Sequence, residues 1–135
     1  MSIRDASIMP VLAVDDLDRA TTFYRDKLGL EVRRLGEDPT SAVVEIGDSG
    51  RLLLYQTTYR RGENTVAAIL VKDVEGTASE LRARGITFEE YDLPGLKTEN
   101  GVAVLGDLHT AWFKDSEGNT IALSTELPDV MRKAA

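Results

Sequence analysis

Phe113-Lys114-Asp115-Ser116-Glu117-Gly118-Asn119-Thr120-Ile121-Ala122-Leu123-Ser124 is the stretch on which the reading of this chain turns. Asp-Ser-Glu-Gly-Asn combines side chains that bond their own backbone with a glycine that accepts positive φ, so the chain should reverse sharply there. Apolar residues end at Phe113 and resume after Thr120, which predicts a hairpin with one strand on each side.

Upstream of that hairpin the chain says the same thing twice. Ile8-Met9-Pro10-Val11-Leu12-Ala13-Val14 predicts a strand, and because Pro10 donates no amide hydrogen the strand lies at an edge or leaves a gap in its ladder at residue 10. Asp15 or Asp16 then caps a helix whose Leu17, Ala20, Phe23, Tyr24 and Leu28 recur at helical spacing, and Gly29 stops it. Strands follow over 30–35, 42–46 and 52–56, parted by Gly36-Glu37-Asp38-Pro39 and Gly47-Asp48-Ser49-Gly50. After the polar connector 57–64 the pattern restarts. Thr65 to Val71 predicts a strand, Asp73 caps a helix carrying Val74, Ala78 and Leu81, Gly85 ends it, and strands over 86–91, 110–114 and 119–124 complete a second βαβββ unit.

Asp16 and Asp73 stand 57 residues apart, and Gly29 and Gly85 stand 56 apart. Two copies of one unit is the simplest account. The expected organisation is a single α+β domain over 1–135, with module 1 at about 7–57, module 2 at about 64–125 and a tail over 126–135 that adds one helical turn after Leu127-Pro128. Module 2 carries an insertion, 92–107, long enough to serve as a lid over an open cavity. In that role Leu93, Pro94 and Leu96 would offer apolar contacts and Lys97 a charge.

Sixteen Lys and Arg against 23 Asp and Glu leave a net charge of −7, which disfavours nucleic acid and anionic membrane and suits a cationic small molecule. No cysteine is present, so disulfides and thiolate zinc sites are excluded. The opening residues lack a basic segment followed by an apolar run, and no stretch approaches the roughly 20 apolar residues of a membrane span. The chain is expected in the cytoplasm.

The run Asp16-Leu17-x-x-Ala20-x-x-Phe23-Tyr24-x-x-x-Leu28-Gly29-Leu30, its looser repeat from Asp73 and the Phe-Lys-Asp-Ser-Glu-Gly-Asn turn resemble the vicinal oxygen chelate superfamily. That superfamily groups glyoxalase I, bleomycin resistance proteins, fosfomycin resistance enzymes and extradiol dioxygenases, and the likeness runs from about Ile8 to about Ser124. It implies two tandem βαβββ modules whose curled mixed sheets form a pair of half-barrels around one cavity, and a homodimer. In catalytic members a divalent ion is held by His, Glu or Gln in the first and fourth strands of each module. Counted from the helix-capping aspartates and the turn glycines, those positions fall on Met9, Leu54, Val66 and Ala122. None of the four offers the oxygen or nitrogen such ions require, so no metal and no other cofactor is expected.

With those four pointing inward, strand alternation sends Val11, Leu52, Gln56, Ala68, Thr120 and Ser124 to the same side, and Trp112 joins them because Phe113 is the better candidate for packing under the helices. The lining is apolar with a few hydroxyl and amide groups, which suits a pocket for a small cationic or aromatic molecule; a filled barrel core accounts for the same residues equally well. The leading expectation is a metal-free binding protein in the manner of bleomycin resistance proteins. The alternative is a glyoxalase- or dioxygenase-like enzyme with an atypical site that uses His109, Tyr55, Tyr91, Glu45 or Asp107, and a third is a dimer with no ligand. His109, the single histidine, is a candidate general base, but a plain strand-edge role is favoured because no carboxylate is placed by sequence to orient it.

Overall fold

The structure, a computed structural model, describes residues 3–5, 8–35, 38–58, 62 and 64–126. The helical turn expected after Leu127-Pro128 lies outside them. The chain is α+β and divides into two compact units, Met1–Gly62 and Glu63–Ala135.

In the first unit, β1 (Val11–Val14), β2 (Glu31–Arg34), β3 (Ser41–Ile46) and β4 (Gly50–Gln56) form an open sheet in the order β1-β4-β3-β2. β1 runs parallel to β4 at the sheet edge, and the other pairs are antiparallel. The Pro10 carbonyl still accepts from the Leu53 amide at 2.9 Å, so proline costs the ladder only its missing donor. The Asp16 side chain caps α1 (Leu17–Thr22), accepting from the Arg19 amide at 3.1 Å. The helix then widens into a π turn over Phe23–Lys27, where the Leu28 amide reaches the Phe23 carbonyl at 3.2 Å. That widening packs Tyr24 into the core, where it is buried with Leu12, Val14, Leu17, Ala20, Ala42, Val44, Leu52 and Leu54.

The second unit repeats the plan. β5 (Thr65–Val71), the 2-residue strands β6 (Asp92–Leu93) and β7 (Leu96–Lys97), β8 (Val102–Leu105), β9 (Leu108–Lys114) and β10 (Thr120–Thr125) include an open sheet ordered β5-β10-β9-β8, again with its first strand parallel to its last. Asp73 caps α2 (Val74–Ala83) by accepting from the Gly76 amide at 3.0 Å. Val74, Ala78 and Leu81 bury against Ala111, Phe113, Ile121 and Leu123.

Two expectations for this unit change. The segment 86–91 is not a full strand, because only Phe88 bridges to Phe113. The outer strand comes instead from the insertion, as β8. The reason is where backbone hydrogen bonds go: the Tyr91 amide donates to Thr98 Oγ1 at 2.8 Å and the Thr98 amide to the Tyr91 carbonyl at 2.9 Å, which diverts the chain from the ladder. The insertion is accordingly an ordered β6–β7 hairpin followed by a sheet strand.

The β9–β10 hairpin keeps the turn read from its sequence. Asp115 Oδ1 accepts from the Glu117 and Asn119 amides at 2.8 and 2.9 Å, Asp115 Oδ2 accepts from Asn119 Nδ2 at 3.1 Å, and Gly118 takes φ +84°. All three polar residues are buried, which a turn tolerates only because their groups are paired.

Candidate functional site

Each sheet has one face under its helix and one face open, and cross-strand partners always share a face. On the second sheet the pairs Ala68–Ala122–Trp112 and Leu70–Ser124–Thr110 place six side chains on the face away from α2. Phe113 and Ala111 take the helix face. Trp112 is half-buried on this face, beside Ala122 of β10, which is 5% exposed, with Ala68 one strand further on. The Tyr91 ring meets that indole edge-on, with centroids 5.4 Å apart and planes at 84°. Thr110 and Ser124 hydroxyls pair at 3.1 Å, and Lys114 Nζ donates to Thr120 Oγ1 at 3.3 Å while lying 3.5 Å from Glu89. Val66 and Leu70 remain exposed at 38% and 49%. The structure thus brings Ala68, Trp112, Thr120, Ala122 and Ser124 together on one face. Among described residues no partner takes the indole N–H of Trp112.

On the first sheet the expected set divides. Val11 pairs with Leu53 and Ala13 with Tyr55, so the open face carries Val11, Ala13, Leu53 and Tyr55, with Met9 and Val11 exposed. Leu52 and Leu54 are 4% and 0% exposed and belong to the helix-side core. Gln56 Oε1 accepts from the Leu17 amide at 2.8 Å, which makes it a cap for α1 rather than a cavity residue. The expectation that Leu52, Leu54 and Gln56 share a side with Met9 and Val11 is therefore corrected by one residue of register. Leu52-Leu53-Leu54 shows no alternation from which the face could be read.

Charge on that open face is already balanced. Glu45 lies 2.8 Å from Arg33 Nη2 and 3.5 Å from Arg51 Nη2, and Arg33 also approaches Glu31 at 3.6 Å. The hydrogen bonds that Arg33 donates to Glu45, together with the Glu45 charge, raise the Arg33 pKa above its ordinary value.

His109 and the insertion belong to the other face of the second sheet. His109 pairs with Val104 across β8 and shares the parity of Ala111 and Phe113, and its Nδ1 lies 2.6 Å from Glu75 Oε2 in the first turn of α2. A carboxylate does orient this histidine, contrary to expectation; 34 residues of separation hid it. Lys97, expected in a lid, lines a cleft of about 910 Å³ on this same helix side, together with Glu75, Arg82 and Phe88. Leu93 is exposed and Leu96 half-buried.

The positions at which the fold would place metal ligands offer thioether, aliphatic and methyl groups, and with β4 shifted by one residue the open face offers Leu53 and Tyr55 in place of Leu54. Among the described residues no group of three or more His, Cys, Asp or Glu could hold an ion. At these positions the described residues do not fit a metal. Among the described residues no helix is long and apolar enough to cross a membrane.

A family model described as "Glyoxalase/Bleomycin resistance protein/Dioxygenase superfamily" matches residues 7–123. A protein of Vibrio parahaemolyticus called "Probable lactoylglutathione lyase" is 28% identical over 125 residues, covering 84% of this chain and 85% of its own. A chloroplastic protein of Arabidopsis thaliana with the same description is 33% identical over 103 residues, and the match spans 29% of its length. Among solved structures, the bleomycin-binding protein of Streptomyces verticillus, complexed with copper(II)-bleomycin, superposes with a TM-score of 0.69 at 26% identity, covering 90% of this chain and 97% of that one.

Proposed function

This chain belongs to the glyoxalase/bleomycin resistance protein/dioxygenase superfamily, and we propose that within it the protein binds a small organic molecule against the Trp112 face of the second sheet, without a catalytic metal. The carrying observation is that face itself: an indole whose N–H meets no partner among the described residues, beside Ala122 on the next strand and Ala68 on the one beyond, met edge-on by Tyr91, with a hydroxyl pair one step along the strands. It combines a large apolar contact with a few oriented polar groups, the composition of a ligand surface. The similar Streptomyces protein binds a large copper-bearing molecule, which supports ligand binding rather than chemistry as this chain's role. An aromatic ligand satisfies the face best, with a cationic group favoured by the net charge of −7. The protein is proposed to act as a homodimer in the cytoplasm.

Trp112 is the chain's single tryptophan, so intrinsic fluorescence reports on this face directly. Titration with bleomycin and a panel of aromatic cations should shift or quench that emission, and a ligand at 100 times its Kd should stabilise the fold by about 2.7 kcal/mol. A panel-wide absence of both responses overturns the proposal.

The second reading, a lyase, is favoured by the description shared by the Vibrio and Arabidopsis relatives. Metal analysis of protein purified without chelator separates the two. A stoichiometric divalent ion would favour the lyase and sink the metal-free reading.

A further inference from the structure

The two units treat the helix side of their outer strands differently. In the first, Arg34 of β2 reaches across to Asp18 of α1. In the second, Val104 of β8 stays 59% exposed, and the insertion stands off from α2 and walls a cleft of about 910 Å³. Its walls are braced: Glu90 Oε1 accepts from Thr98 Oγ1 at 2.7 Å and from the Gly101 amide at 2.6 Å. The Arg82 guanidinium donates to the Asn100 carbonyl and lies 5.0 Å above the Phe88 ring. Such a site is largely formed before anything enters it.

The lining charges are unequally committed. Glu90 takes two donors on Oε1, and Glu75 is paired with His109. The side chains of Lys97 and Glu99 make no hydrogen bond or ion pair with a described residue, and they stand two residues apart on an extended chain, so both face one side. Arg82 keeps unused N–H donors, since a guanidinium carries five. The apolar part of the lining is Val104, which is exposed, with Phe88 and Val102 buried behind it.

We propose that this cleft is a second ligand site, on the opposite face of the sheet from Trp112, and that it takes a small amphoteric molecule with an apolar body, of the free amino acid or dipeptide type. The carboxylate meets Arg82 and Lys97, the ammonium meets Glu99, and the apolar side chain lies against Val104, the exposed apolar residue of the lining. A ligand with one charge alone fits worse: an anion faces Glu99 and a cation faces Lys97 and Arg82, each a like-charge contact.

The test is an amide NMR titration of the full chain with L-leucine, L-phenylalanine and leucyl-phenylalanine, beside their N-acetyl and C-amide forms. Saturable shifts centred on residues 97–104 with unchanged Trp112 emission are expected, and each blocked form should bind about tenfold more weakly, the equivalent of about 1.4 kcal/mol. Lys97→Gln and Glu99→Gln, at exposed positions, should each weaken the unblocked probes similarly while leaving the spectrum of the free protein folded. Absence of saturable shifts, equal binding of blocked and free forms, or wild-type binding by both variants would each overturn the proposal.

Discussion

Gln56 Oε1 accepts a hydrogen bond from the backbone amide of Leu17 at 2.8 Å across 39 residues of sequence, joining the end of β4 to the first turn of α1. The amide side chain satisfies one of the donors that a helix N-terminus leaves unpaired. Gln56→Ala should therefore destabilise the first unit by about 1 kcal/mol in urea unfolding, with no effect on ligand titrations read through Trp112. Unchanged stability with lost binding would return Gln56 to the cavity.

Neighbours on β9 should separate stability from binding. Phe113 is fully buried against Phe88, ring centroids 5.6 Å apart, so Phe113→Ala should cost about 3–5 kcal/mol. Trp112→Leu, on the open face, should cost far less while abolishing ligand-induced thermal stabilisation. Equal costs for the two would mean that the open face is a filled core.

Asp115 holds the closing turn through three hydrogen bonds from buried partners. Asp115→Ala should destabilise by about 2–3 kcal/mol, since bonds to a charged acceptor are the stronger kind and the Glu117 and Asn119 amides would be orphaned. Chemical denaturation measures it, with Asp115→Asn expected between the two.

Two glycines of the insertion should respond unequally to alanine. Both have positive φ, +81° at Gly95 and +79° at Gly101, but a Cβ at Gly95 meets nothing within 4 Å while one at Gly101 would stand 2.7 Å from Arg82 Nη2 and 3.0 Å from Phe88 Cβ. Gly95→Ala should cost about 1 kcal/mol in backbone strain alone. Gly101→Ala should cost more and also disturb the cleft, seen as amide shifts along residues 97–104.

Hydrogen bonds from the Thr40 hydroxyl and amide hold the Asp38 carboxyl below its ordinary value of 3.8. A depressed folded-state pKa means that the contribution is fully present above 3.8 and is lost as pH falls through the lowered value. In an acid titration followed by NMR, the Thr40 amide should report a midpoint below 3.8, and Thr40→Ala should raise the Asp38 midpoint toward it.

Much of the fold was legible because its signals are local. Asp16 and Asp73 cap their helices within three residues, and Gly118 with Asp115 turns the hairpin within five, so short stretches of sequence contain the whole interaction. Repetition of those signals was enough to count two βαβββ units.

What sequence alone determined is therefore the fold class and the order of strands and helices around the two capped helices. Tertiary structure decided which side chains meet. Three consecutive leucines at 52–54 carry no alternation, so only pairing with β1 and β3 shows that Leu53 takes the open face and Leu54 the core. Glu75 meets His109 only once α2 lies across β9, and the insertion becomes a cleft wall only because Tyr91 and Thr98 bond each other instead of the sheet. Local backbone chemistry sets where elements begin and end. Faces and clefts depend on register and packing between residues far apart in the chain, which no local pattern encodes.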